Sequence, residues 1–122
     1  MDFKIELIPI SVSDVDRAKD FYARVGWVAE QDGSPHEDLR FVQVTPPGSA
    51  CSFCFGKGLG MLPEGQAQYI QVVVANADDA HAYLVEREIE CTPVEELAWG
   101  RFVNFSDPDG NRWVLQELPV RG

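Results

Sequence analysis

The chain is written twice. Sliding the sequence by 62 residues lays SVSDVDRAKDFYARVGW over VVANADDAHAYLVEREI, with Val12 on Val74, Asp14 on Asn76, Asp16 on Asp78, Ala18 on Ala80 and Phe21 on Tyr83. The same offset carries TPPGS (45–49) onto DPDGN (107–111). A repeat of this length is one supersecondary unit used twice, so the fold is two copies of one arrangement.

Within the first copy, an apolar strand IELIPISV precedes SDVDRAKDFYARVG, whose Val15, Ala18, Phe21, Tyr22 and Val25 recur at helical spacing. Ser13 or Asp14 is placed to cap that helix and Gly26 to stop it. Three strands are expected next, around Trp27 to Gln31, Leu39 to Thr45 and Ala50 to Phe55. Each half therefore reads β-α-β-β-β, an α+β arrangement with modules at about 1–56 and 67–122 and a glycine- and proline-rich linker at about 57–66. DPDG supplies the corner before the last strand, because proline fixes φ, glycine accepts φ > 0 and the aspartates bond the local backbone. One helix covers only one face of a four-stranded sheet. Two such sheets meeting across a pseudo-twofold axis would enclose a cavity with the other faces.

Composition narrows the partners. A net charge of −10 over 122 residues opposes nucleic acid and anionic membranes and favours a cationic partner or simple solubility. No run approaches the roughly 20 apolar residues of a membrane span, and no basic segment followed by an apolar one opens the sequence. A soluble cytoplasmic protein is expected. Cys51 and Cys54 have CxxC spacing, but on a strand positions three apart face opposite ways, so buried thiols are expected rather than a zinc knuckle. Nucleophile elbow, phosphate loop and dinucleotide fingerprint are all missing.

The segments VSDVDRAKDFYARVG, VVANADDAHAYL and WGRFVNFSDPDGNRWVLQE resemble the vicinal oxygen chelate superfamily, the glyoxalase, bleomycin-resistance protein and dioxygenase group, over essentially the whole chain. The resemblance implies tandem βαβββ modules forming a cup-shaped mixed sheet around a metal or a ligand, usually in a homodimer. It also implies metal ligands seven residues before the helix-opening residue and four after the turn glycine. Those places hold Leu7 and Tyr69, and Ser52 and Val114. Leucine and valine coordinate nothing, so no metal and no cofactor are expected. A slip in frame brings in Glu6 or Gln116, but alternation is expected to turn those side chains to a different face from the positions they replace. His36, in the loop-like DGSPHEDL, and His81, on the second helix, lie outside the expected cup.

Alternation adds Pro9, Cys54, Gln71, Arg112 and Gln116 to the cup face, while Ile8, Ile10, Ile70, Val72, Trp113 and Leu115 turn toward the helices. Tyr69 offers a ring and a hydroxyl, and Gln71 and Gln116 offer donors and acceptors. Arg112 is available to an acidic ligand or to neighbouring carboxylates. Trp99 resembles the tryptophan-glycine before the last two strands of bleomycin-resistance proteins, at a pocket mouth or a dimer seam. The expected function is metal-independent binding of a small aromatic or cationic molecule by a homodimer, with no nucleic acid and no membrane involved. The alternatives are a lyase, isomerase or dioxygenase with an atypical active site, and a module whose product is its interaction surface.

Overall fold

A computed structural model describes residues 1–120, and the chain divides into two compact units, the first ending at Ala67 and the second starting at Gln68. The first unit contains β1 (Leu7–Pro9), α1 (Val15–Val25), β2 (Ala29–His36), β3 (Leu39–Val44) and β4 (Ser52–Lys57). The second contains β5 (Tyr69–Val73), α2 (Ala77–Glu86), β6 (Glu95–Leu97), β7 (Gly100–Ser106) and β8 (Arg112–Glu117). Their sheets run β1-β4-β3-β2 and β5-β8-β7-β6, each with one parallel pair, β1 with β4 and β5 with β8, and antiparallel pairs elsewhere. This is the α+β fold of two tandem βαβββ modules that the repeat demands.

The helices begin and end alike because the repeated residues do the same work. The Asp14 side chain accepts from the Arg17 N–H, and Asn76, its counterpart, accepts from the Asp79 N–H, each capping an otherwise unpaired donor. At the far ends, Trp27 N–H donates to Tyr22 O and Gly26 N–H to Ala23 O, mirrored by Ile89 to Leu84 and Glu88 to Val85. This six-to-one closure needs a left-handed residue. Gly26 takes φ 97 without cost, whereas Glu88 takes φ 58 with a full side chain, a strain of about 1 kcal/mol.

Each helix buries one stripe on one sheet face. In the first unit the fully buried Tyr22 ring stands 4.8 Å from Phe53, edge to face, and stacks on Trp27, with Phe55, Val25, Val42 and Val44 completing the core. In the second, Phe105 stacks on Trp113 at 6.5 Å beside buried Leu84, Ile89, Val103 and Leu115. Outside the first core, Arg40 bonds Asp32 and Asp16, and Lys19 bonds Asp32, tying α1 to β2 and β3. The Arg40 hydrogen bonds, helped by those from Lys19, hold the Asp32 carboxyl down to about 2.

Two expectations are corrected. DGSPH is not a loop: β2 starts later than expected, at Ala29, and runs through Gly33, Ser34 and Pro35 to His36, turning back at residues 37–38 into β3. A strand tolerates this glycine and proline because β2 is the sheet edge, pairs on one side only and carries register shifts between Gly33 and His36. The offset of 62 also fails after the turns. Leu7 pairs with Ser52, but Tyr69 pairs with Arg112 rather than Val114, because Ala50 and Cys51 lengthen the first turn by two residues. A slip of two leaves every side chain on its expected face.

Candidate functional site

Register decides which side chains share a face. Leu7 and Pro9 of β1 lie opposite Ser52 and Cys54 of β4, on the side away from the Phe53 and Phe55 rings that meet α1. In the second unit Tyr69, Gln71 and Val73 lie opposite Arg112, Val114 and Gln116, away from Trp113 and Leu115. Trp99 sits in the tight turn between β6 and β7. The open faces differ in access. Ser52, Cys54 and Val114 are buried, Leu7, Pro9 and Gln116 half-buried, and Tyr69, Gln71, Arg112 and Trp99 exposed.

On the second sheet the exposed groups are ordered by one another. The Arg112 guanidinium lies over the Tyr69 ring, 5.4 Å from its centre, and has no carboxylate partner among the described residues. Of the two fates open to Arg112, pairing with neighbouring carboxylates is therefore not the one seen. Gln71 Nε2 donates to Gln116 Oε1 at 2.5 Å, and Gln116 Nε2 donates to the Trp99 carbonyl at 2.9 Å. That chain leads from β5 across β8 to the turn that carries the Trp99 ring. The second unit thus carries an ordered polar strip together with two exposed aromatic side chains, Tyr69 and Trp99, groups that suit stacking of a planar molecule and hydrogen bonding at its rim.

On the first sheet the structure adds residues that the sequence reading missed. Ala29 pairs with Val44 and Gln31 with Gln43, so Glu30 is the extra residue of a β-bulge. Its carboxylate Oε1 accepts from Gln43 Nε2 at 3.1 Å, from the Thr45 hydroxyl, and from Ser52 Oγ at 3.4 Å. The Thr45 and Ser52 hydroxyls stand 2.5 Å apart, and with the Thr45 proton on Glu30 the Ser52 proton is shared between Thr45 and the longer approach to Glu30. The Thr45 bond, above all, holds the Glu30 carboxyl below its ordinary range, with Gln43 and Ser52 adding to it against a small opposing effect of burial. Alternation from β4 onto its neighbour would have found Gln43, but no local signal announces a bulge. The same step onto β7 places Phe102 and Asn104 opposite Gln116 and Val114. Asn104 Oδ1 is buried there with no hydrogen-bond partner in the structure.

The family's metal positions do not fit a metal. Leu7, Val114, Ser52 and Tyr69 supply no imidazole, carboxylate or thiolate, and among the described residues no group of three or more His, Cys, Asp or Glu side chains stands together. Cys54 shares the first open face, but burial pushes its thiol up, keeping it in the protonated form that is a poor ligand. All three cysteines are free thiols, and burial likewise raises Cys51 and Cys91. His36 ends an edge strand and His81 lies on α2, neither on an open face with a second donor of this kind.

The paired modules and these faces have relatives. The sequence profile of the Glyoxalase/Bleomycin resistance protein/Dioxygenase superfamily matches residues 4–115. The chain belongs to that superfamily. Among solved structures it is similar to TnmS3, an antibiotic binding protein from Streptomyces sp. CB03234, at 31% identity and TM-score 0.81, covering 97% of this chain and 98% of that one. A superfamily member from Sphaerobacter thermophilus DSM 20745 shares 32% identity at TM-score 0.78, over 95% of this chain and 98% of that one. The bleomycin resistance determinant encoded on transposon Tn5, at 16% identity and TM-score 0.70 over 98% and 100% of the two chains, shares the fold. No curated protein matches the chain. Among the described residues no helix is long and apolar enough to cross a membrane.

Proposed function

We propose that this protein is a metal-independent binder of small organic molecules, holding an aromatic compound against the open faces of its sheets and sequestering it as a cytoplasmic homodimer. The observation that carries this reading is the pair of exposed aromatic side chains on the second unit, Tyr69 at 60% and Trp99 at 61% exposure, together with the hydrogen-bond chain that runs from Gln71 through Gln116 to the Trp99 carbonyl. Exposed aromatics flanking ordered amides give a planar ligand both area and orientation. The likeness to an antibiotic binding protein supports the ligand class. The missing donor set argues against the lyase, isomerase and dioxygenase chemistries, which use a metal as Lewis acid or template.

Calorimetric titration with a panel of aromatic antibiotics tests the reading. Tyr69→Ala and Trp99→Ala are each expected to weaken the best binder by about tenfold, since a desolvated aromatic contact at a binding centre is worth 1 kcal/mol or more. Because both side chains are exposed, folding stability should move by no more than about 0.5 kcal/mol. Unchanged affinity in both variants would overturn the placement of the ligand.

A further inference from the structure

We propose that residues 58–65 form a strap laid along the open face of the first sheet, which lifts while the sheet stays folded and so controls access to that face through Met61. The strap belongs wholly to the first unit, which ends at Ala67. Its use as a gate rests on the small-molecule reading above, whereas its lifting is a property of the free protein.

The path of the chain shows what the strap covers. It leaves β4 at Lys57, and Gly58 and Gly60, at φ 73 and φ 67, take the left-handed backbone that turns it back. Leu59 then meets Gly56, its Cδ1 standing 2.9 Å from where a Cβ on that glycine would lie. Two residues on, the Met61 sulfur lies 3.7 Å from the Cys54 thiol. Cys54 faces away from the Phe53 and Phe55 rings that meet α1, so the chain retraces β4 on the open side. At its far end the Gly65 N–H donates to Ser11 Oγ at 3.2 Å, which ties the strap to the segment after β1.

The attachment is light. Residues 58–65 take neither helix nor strand, and Leu59 and Leu62 are half-buried while the others are exposed. Met61 itself is 48% exposed. A segment with so little apolar surface buried opens locally at a cost well below that of unfolding the sheet beneath it. Methionine suits the inner wall of such a strap, because its flexible, polarisable thioether fits apolar surfaces of differing shape.

The thiol under the strap reports its position. Cys54 is fully buried, and burial pushes its thiol up, so it reacts only when uncovered. The ligand-free protein is treated with N-ethylmaleimide, and labelling of Cys54 is followed by tandem mass spectrometry that resolves it from Cys51 and Cys91. Local lifting exposes little surface, so the Cys54 rate should change less than about twofold on adding about 1 M urea, whereas global unfolding would raise it about tenfold or more. Met61→Ala, at an exposed position, should speed Cys54 labelling by about tenfold and leave Cys91 as it was. Ser11→Ala, which removes the tie to Gly65, should speed it by about threefold. A Cys54 rate that rises with urea in step with global unfolding, or one unchanged in Met61→Ala, would overturn the strap. Either result leaves the small-molecule reading standing, and failure of every compound in the calorimetric panel would remove the gate's purpose while the labelling pattern stood.

Discussion

Replacing Asn111 with Leu should lower stability by about 3 kcal/mol, a fall of roughly 10 °C or more in Tm for a domain of this size. Asn111 is fully buried and ends the turn between β7 and β8. Its Oδ1 accepts from the Gln68 N–H at 2.9 Å, fixing the chain as it enters β5, and its Nδ2 donates to Asp107 Oδ2 at 2.9 Å. Asp107 in turn accepts from the Asp109 and Asn111 N–H groups through Oδ1, which closes the DPDG turn. Leucine matches the volume but removes the acceptor of the Gln68 N–H and the donor to a buried Asp107 carboxylate oxygen, and each buried hydrogen bond lost in this way costs about 1–3 kcal/mol. The first unit contains its own control. Ser49, which the repeat places opposite Asn111, is exposed and bonds only within its own turn, to the N–H and carbonyl of Cys51. Ser49→Ala should therefore cost less than about 1 kcal/mol. Thermal or urea unfolding of the two variants side by side checks the contrast, and equal losses would contradict it.

Gly56→Ala should be nearly as damaging, at about 2–3 kcal/mol, for a steric rather than a polar reason. Gly56 pairs with Phe41, and a Cβ built on it would lie 1.9 Å from the Arg40 carbonyl oxygen and 2.9 Å from the Leu59 side chain. Backbone cannot step aside as a flexible side chain can, so β3 and β4 must separate locally. Amide exchange should then quicken across both strands before global unfolding. An alanine variant whose Tm stays within about 2 °C of the parent would show that the close approach is relieved at little cost.

These two residues also mark where sequence reasoning reached and where it stopped. The turn around Asn111 was legible, since DPDG advertises its own geometry, and Asp14 and Asn76 both cap helices because their side chains act on backbone within three residues. The division of each strand into a helix-facing and an open side was legible for a similar reason. Period-2 alternation survives even a two-residue error in register, as the slip between Tyr69 and Val114 shows. The features that were not legible depend on contacts far along the chain. The need for glycine at position 56 comes from Arg40, and the hydrogen bonds of Glu30 go to Gln43, Thr45 and Ser52, 13 to 22 residues away. Glu88 at φ 58 was hidden because nothing about a glutamate signals a left-handed backbone. Gly33, Ser34 and Pro35 misled in the other direction, carrying loop chemistry into a strand that only an edge position permits.

The central claim is that the open faces take a small molecule without a metal, and metal content tests it most directly. Protein stripped with chelator is incubated anaerobically in turn with nickel, zinc, manganese and ferrous iron, desalted, and assayed for metal per chain. Leu7, Ser52, Tyr69 and Val114 offer no ligand set, so the retained metal should stay at background for all four ions. Near-stoichiometric retention of any of them would contradict the account, because it would require a donor set that these faces do not contain and would restore a metal-dependent enzyme of the same superfamily.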